Sequence, residues 1–405
     1  MEVQFPLICV LRDEFDILPA FLNHYRSIGV TSFYFVDTGS SDGTRNYLLN
    51  QNDVQLYTAD GGYPQANAGV DWVNEIGQQH CIGKWTIVVD ADEFLQLPRT
   101  ELPVSLVEIT QLLQAELAFA LYTPSIDFFA NNLSSALEQP ASLEELIALT
   151  PNFVPYSCFR KQQTVAFPFF ELRSEARAKI SKKQSYLVRS HKIPLVYWRP
   201  DFRYLRSTHS CAPLPLSDKC GYLFHFKYRP GFELRLEREL ENPDRMNADV
   251  YGISKAILKN QKDIIAHTSQ TADVDGFYES DWLSYGGFLE TWKRENRTKA
   301  NYFEVFARQK TPSDDVLEDN LERLTQTFSW RFTRPLRSFL FKRGLLRHDH
   351  YPERLKFGHH PVADQTVAIY ESFWWLITGP LRVPVAAYRL VLWHKLKSWR
   401  KASRR

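Results

Sequence analysis

The feature that most restricts the fold of this chain is the run Lys84-Trp85-Thr86-Ile87-Val88-Val89, which passes without a break into Asp90-Ala91-Asp92-Glu93-Phe94. A strand with no polar alternation is one covered on both faces, as in a sheet flanked by helices on either side. Side chains at i and i+2 of a strand share one side, so Asp90 and Asp92 are expected to project together from its carboxyl end. Open α/β sheets bind ligands at that edge. Two carboxylates so close repel unless a cation lies between them. Mg²⁺ or Mn²⁺, completing its shell with water and phosphate oxygens, suits such a pair. The plain alternative is an acidic turn closing a core strand.

The preceding residues repeat the theme. Val3 to Leu11 reads as a strand ending at Arg12-Asp13-Glu14. Ile17, Leu18, Phe21, Leu22, Tyr25 and Ile28 follow at helical spacing, and Gly29 is a natural stop. Ser32 to Asp37 is a second strand, leading into Thr38-Gly39-Ser40-Ser41-Asp42-Gly43-Thr44, the composition of a tight turn with a helix cap. A helix through Tyr47 and Leu48, a strand at Val54 to Tyr57 and a helix from Asn67 to Gln79 lead up to Lys84. This alternation predicts a mostly parallel sheet flanked by helices, with polar clusters at three successive strand ends.

Four motifs carry a resemblance. Arg12-Asp13-Glu14, His24-Tyr25-Arg26-Ser27-Ile28-Gly29-Val30, Asp37-Thr38-Gly39-Ser40-Ser41-Asp42-Gly43-Thr44 and Asp90-Ala91-Asp92-Glu93-Phe94 resemble a bacterial branch of the family-two glycosyltransferases. The resemblance is specific through Phe94 and continues more loosely to about residue 260. It implies the GT-A fold, a Rossmann-like sheet, and an inverting, metal-dependent transfer from a nucleotide sugar to a hydroxyl. By this resemblance Arg12, Glu14 and Asp37, with Ser40 in the same loop, face the base and ribose. Asp90 and Asp92 face the ribose and the metal. A late histidine, His225 or His209, completes the metal shell, and Lys227 offsets the diphosphate charge. A packed histidine on the half-buried strand Leu223-Phe224-His225-Phe226 is the ordinary alternative.

An acceptor hydroxyl needs a base within hydrogen-bond reach. Asp127, expected where a strand from Ala120 gives way to a loop, and Glu171, in Phe169-Phe170-Glu171, are the candidates. Taken singly, each reads rather as a plain surface or loop carboxylate.

The chain has 405 residues, more than one compact core usually holds, with a formal charge of +2 that gives no global sign of nucleic acid. The division expected is a catalytic domain at 1–230, a helical extension at 231–275 and an aromatic, basic helical region at 276–405. Phe232 to Met246 reads as a charged surface helix. The five cysteines have no metal-like spacing and read as reduced cytosolic thiols in apolar segments. Glu2 is followed directly by a strand, so no signal peptide is expected. From Arg382 to Arg405 every charged side chain is basic, and Val367 to Trp393 is apolar but broken by Glu371, Arg382, Arg389 and two prolines. This suits a helix lying in an anionic membrane interface better than one crossing it. The expectation is a peripheral enzyme on the cytosolic face, acting on a glycan or lipid-linked glycan in surface polysaccharide assembly. The competing classes are a membrane-associated glycan-binding scaffold and a sugar nucleotidyltransferase. The latter is disfavoured because Arg12-Asp13-Glu14-Phe15 stands where a glycine-rich phosphate loop belongs.

Overall fold

The computed structural model describes residues 3–282 apart from 60–62, 64–65, 99–104, 164–169, 184–187, 201, 213, 242–247 and 281. The chain divides into two compact units, Met1–Gln309 and Lys310–Arg405, and the described residues belong to the first. The segment expected to meet a membrane lies, from residue 283 onward, outside them. Among the described residues no helix is long and apolar enough to cross a membrane.

Strands β1 (Pro6–Leu11), β2 (Ser32–Asp37), β3 (Val54–Thr58) and β4 (Trp85–Val88) alternate with helices α1 (Leu18–Ile28), α2 (Thr44–Leu49) and α3 (Val70–Ile76). After them come β5 (Glu93–Gln96), α4 (Leu106–Ala115), β6 (Ala120–Phe129), α5 (Leu143–Leu149), β7 (Asn152–Phe153), β8 (Phe159–Gln163), β9 (Phe170–Ser174), α6 (Ala176–Ser181), β10 (Val188–Arg189) and β11 (His191–Tyr197). The hairpin β12 (Tyr204–Ser207) and β13 (Ser210–Cys211) precedes β14 (Leu216–Cys220), β15 (Tyr222–Tyr228), α7 (Phe232–Glu241), α8 (Ala248–Lys259), β16 (Ser269–Gln270) and α9 (Val274–Tyr278).

The order β3-β2-β1-β4 is parallel throughout. The chain winds outward from β1 to β3, then returns to place β4 on the other side of β1. That reversal opens a crevice at the carboxyl ends of β1 and β4. β11 then enters antiparallel between β4 and β6. β15 runs parallel to β6 and antiparallel to β5. A separate antiparallel sheet has the order β10-β9-β8.

Local chemistry explains these elements. β4 is buried at every residue, as its uninterrupted apolar run requires. α1 starts with proline in its first turn and stops where Gly29 takes φ 109°, a conformation open to glycine. Its Leu18, Phe21, Leu22 and Tyr25 are fully buried. The helix expected to reach Gln79 is regular only to Ile76, then widens into a π turn at Gly77–Cys81. Gly77 is needed there because a Cβ would lie 1.8 Å from the indole of Trp198.

Two expectations change. β6 runs through Phe129 and all ten of its residues are buried, so Asp127 sits on a core strand and not on a loop. The boundary drawn at residue 276 falls inside packed structure. Trp282 donates its indole N–H to the Val154 carbonyl at 3.0 Å, and Tyr278 reaches the Leu97 carbonyl at 3.2 Å. Phe277 packs edge-on to Phe224 and Tyr222. The composition does shift there, but its first aromatic residues close the core of the first unit.

Candidate active site at the sheet crossover

The loop after β1 and the turn after β2 are built as one piece. The Asp37 side chain accepts from the Ser40 amide at 2.9 Å, and the Ser40 hydroxyl accepts from the Asp13 amide at 2.9 Å. Asp42 accepts from the Phe15 and Thr44 amides, both at 3.0 Å, while the Thr44 hydroxyl accepts from the Glu14 amide at 3.0 Å. Gly39 and Gly43 supply the positive φ angles of the turn. Asp13 is itself left-handed at φ 54°, a strained state for a residue with a side chain, held by this set of bonds. Asp37 is 1% exposed and also meets Arg45 at 3.4 Å. Asp37 and Ser40, expected to face the base and ribose, thus also shape the Arg12–Glu14 loop. Arg12 stays partly exposed beside Asp13 at 3.6 Å.

At the neighbouring strand end, β4 stops at Val88, so Asp90 and Asp92 lie on a turn and lose the strict alternation of a strand. The Glu93 amide donates to the Asp90 carbonyl at 3.1 Å, and the Glu93 carboxylate folds back on the Asp90 amide at 3.0 Å. The two aspartates take different partners. Asp90 meets the ammonium of Lys192 at 2.6 Å, which also holds Glu93 at 2.7 Å. Asp92 faces Nε2 of His225 at 3.4 Å.

Strand register delivers His225. On β15 it stands opposite Glu93 of β5 on one side and Asp127 of β6 on the other. Its Nδ1–H donates to Asp127 at 2.6 Å. Arg177, projecting from α6, grips the same carboxylate with two bonds of 2.6 Å and stacks over Tyr228 at 5.3 Å. Burial opposes ionisation of Asp127 and Asp92, yet Arg177 and His225 hold the first, and His225 the second, well below the usual carboxylate range. Burial likewise opposes protonation of His225, but Asp92 and Asp127 together raise it to about 9. The imidazolium thus bridges two carboxylates.

These contacts correct both candidate bases. A carboxylate held ionised by a bidentate guanidinium and an imidazolium is a weak proton acceptor, so Asp127 orients His225 instead. Glu171 is shared by Arg173 and Arg189, the latter at 2.9 Å, on the separate β8–β9–β10 sheet. His209 is anchored by Nδ1 to the His191 carbonyl at 2.5 Å, and burial pushes its pKa well down.

A third knot ties the crevice to β15. Arg229, 3% exposed, bonds Asp16 at 2.7 and 2.9 Å and Glu14 at 2.6 Å, and Arg235 adds a bond to Asp16 at 3.0 Å. Burial pushes the Glu14 carboxyl up to about 8 against the pull of Arg229. Lys227 lies between Arg229 and His225 in sequence. Burial and the nearby Arg177 lower its pKa, and it makes no ion pair among the described residues. It is the cation least committed to a protein partner here.

Among the described residues no three His, Cys, Asp or Glu side chains are gathered as a ready metal shell, so Asp90, Asp92, His225 and His209 do not form one. Mg²⁺ and Mn²⁺ ask less of a protein, since one or two carboxylates suffice when phosphate and water supply the rest. Asp92 fits that demand. His225 fits only once Nε2 has given up its proton, with Asp127 still fixing Nδ1.

Sequence reasoning missed Glu93, Lys192, Arg177 and the Arg229 pairing with Asp16. Lys192 carried a signal: a lysine leading the apolar run Ile193-Pro194-Leu195-Val196 must find carboxylates if it is buried.

No family model matches the chain, and no curated protein matches it. Among solved structures, HddC from Yersinia pseudotuberculosis is 9% identical with a TM-score of 0.24, covering 48% of this chain and 73% of that one. A 4-diphosphocytidyl-2C-methyl-D-erythritol synthase is 13% identical with a TM-score of 0.22, covering 32% of this chain and 64% of that one. A protein described as a glucose-1-phosphate thymidylyltransferase of Bacillus anthracis, in complex with a sucrose, is 7% identical with a TM-score of 0.25, covering 69% of this chain and 94% of that one. Overlaps at such scores carry no argument about the chemistry of this crevice.

Proposed function

We propose that this chain is a metal-dependent glycosyltransferase that takes its sugar from a nucleotide donor and passes it to a hydroxyl of a glycan. The observation that carries the reading is the meeting, at the β1–β4 crossover, of Asp92 with His225, under the charges of Lys227 and Arg229 from β15 and its end. Carboxylates for a hard cation and cations for a diphosphate are what a nucleotide-sugar donor demands. Asp92 would hold Mg²⁺ or Mn²⁺, with His225 as a second donor after loss of its Nε2 proton. The bound ion would stabilise the charge on the departing nucleoside diphosphate. Lys227 shares that task from the protein side. Arg229 keeps Glu14 at the crevice, and the Asp37–Thr44 turn keeps Arg12 beside it. Inversion, a lipid-linked acceptor and work at a cytosolic membrane face remain part of the proposal through the motif resemblance and the basic C-terminal sequence.

Calorimetric titration with UDP, GDP and CDP, with and without Mn²⁺, tests this reading against Asp92→Asn. One nucleotide is expected to bind only with Mn²⁺ and to be lost in the variant. A folded protein that binds none of the three overturns it. So does one that binds a nucleotide equally well without metal and after the Asp92→Asn change. In either case the glycan-binding scaffold gains.

A further inference from the structure

The hairpin β12–β13 is fastened by a ladder of amides along α3 and the turns that flank it. This segment carries the chain from the carboxyl edge of the sheet, where Gly69 lies against Val10 of β1, to the amino edge, where Gly77 meets Trp198 beside Lys84. β12 is led the opposite way. Gln78 donates to the Phe202 carbonyl at 2.9 Å, Asn74 to the Tyr204 carbonyl at 2.9 Å and Asn67 to the Leu205 carbonyl at 2.8 Å. Ser207 pairs with Ser210, so the hairpin turns at Thr208-His209, at the carboxyl edge that also carries Asp90 and Asp92.

The tip is tied to β11 around Lys192. The Tyr204 hydroxyl donates to the Ile193 carbonyl at 2.6 Å, and the His209 ring donates to the His191 carbonyl at 2.5 Å. Lys192, between those two residues, holds Asp90 and Glu93. A carbonyl only accepts, so His209 carries its proton on Nδ1 and keeps a lone pair on Nε2. Burial, with the Lys192 ammonium second, keeps the ring neutral by pushing its pKa well below 6.5. Nε2 has no hydrogen-bond or ion-pair partner among the described residues, and the ring is half-buried. Holding the hairpin uses Nδ1 alone. A metal is a poor occupant of Nε2, because the Lys192 charge that repels a proton repels a cation too.

These properties meet a need that the crevice leaves open. Asp127 and Glu171 are both committed to guanidinium groups, so neither is a ready proton acceptor. We propose that Nε2 of His209 is the base that takes the proton of the attacking acceptor hydroxyl. The hydroxyl donates its hydrogen bond to Nε2. As its oxygen bonds to the anomeric carbon of the sugar, the bond from that carbon to the diphosphate breaks. The electron pair leaves with the diphosphate, and the proton passes to Nε2. A base of low proton affinity serves here, since a hydroxyl turns strongly acidic while its oxygen bonds to carbon. Asp90, 56% exposed and 2.6 Å from the Lys192 ammonium, offsets the positive charge that the transfer adds. The role of base rests on the proposed transfer, whereas the lone pair on Nε2 does not.

The full-length protein is tested in two arms. In the first, without nucleotide or metal, it is treated with diethyl pyrocarbonate at pH 6 and the acylated histidines are mapped by peptide mass. This reagent takes only a ring nitrogen whose lone pair solvent can reach. His209 is expected to be acylated faster than His24 and His191, which are buried, and His225, which is held protonated. The second arm adds Mn²⁺ and follows release of the nucleoside diphosphate from UDP-glucose, GDP-mannose and CDP-glucose, with water as acceptor. In His209→Asn, kcat should fall about a hundredfold or more with KM nearly unchanged. Azide brings a lone pair and no proton, so it should restore release in His209→Asn while adding little to the wild type. His267→Gln should match the wild type. The proposal is overturned if His209 is acylated no faster than His191. It is overturned too if His209→Asn keeps its kcat, if azide restores nothing, or if His267→Gln loses as much. Failure of the donor reading shows as absent metal-dependent nucleotide binding, and failure of His209 as the acylation order or the azide result, so the two are told apart.

Discussion

Replacing Lys192 by methionine should be the most damaging single change near the crevice that leaves packing volume almost intact. Lys192 is 3% exposed at its side chain and holds Glu93, also 3% exposed, at 2.7 Å. It also holds Asp90 at 2.6 Å, but Asp90 is 56% exposed. The two carboxylates therefore weigh differently. Asp90 can turn to water, and a pair of that exposure is worth at most about 1 kcal/mol. Glu93 cannot, and breaking a buried pair from one side costs about 3–5 kcal/mol because an uncompensated charge stays behind. Lys192→Met is thus expected to lower unfolding stability by about 3–5 kcal/mol in urea titrations at pH 7.5. Adding Glu93→Gln removes the stranded charge, so the double variant should recover at least about 1.5 kcal/mol relative to Lys192→Met. A loss below about 1 kcal/mol in the single variant refutes the reasoning, and so does a double variant as unstable as the single.

Three other outcomes follow from the same geometry. His24 is buried against the Leu95 carbonyl at 2.9 Å, and burial lowers its pKa from 6.5 to about 4. The unfolded chain then binds a proton that the folded chain refuses, so stability present above pH 6.5 falls by about 3 kcal/mol as pH drops towards 4. His24→Gln should flatten the difference between urea midpoints at pH 7 and pH 4.5, and an unchanged slope would exclude His24 as its source. Gly77→Ala places a methyl 1.8 Å from Trp198 and should cost about 1–3 kcal/mol in thermal unfolding, so a neutral result would mean that the indole swings aside freely. Asp42→Ala removes the acceptor of the Phe15 and Thr44 amides, and should speed hydrogen exchange at Phe15 while lowering stability by about 1–2 kcal/mol. Unaltered exchange at Phe15 would argue that the loop after β1 holds itself.

The strands and helices of the first hundred residues were legible because each is a run with one dominant period. Val88 and Ile87 admit no polar face, and Phe21, Leu22 and Tyr25 repeat at helical spacing. The interruptions were less legible, since they answer to partners remote in sequence. The π turn at Gly77 exists for Trp198, and β6 continues past Asp127 because β15 pairs with it. The boundary near residue 276 misled for a related reason. An aromatic-rich stretch reads as a new region by composition, whereas Phe277 and Trp282 complete a cluster begun by Tyr222 and Phe224.

The candidate site divides along the same line. Strand-end carboxylates announce themselves, but what each one does depends on the cation opposite it, and that is a matter of register. Asp90 and Asp92 read as a pair and take different partners, Lys192 for the first and His225 for the second. Asp127 and Glu171 read as interchangeable bases until Arg177 claims the first, and Arg173 with Arg189 the second. The basic stretch at 159–227 was invisible in a net charge of +2, because the acidic residues before it offset it. Charge counted by segment exposes the division, and register then shows that Arg160, Arg173 and Arg189 stand in line.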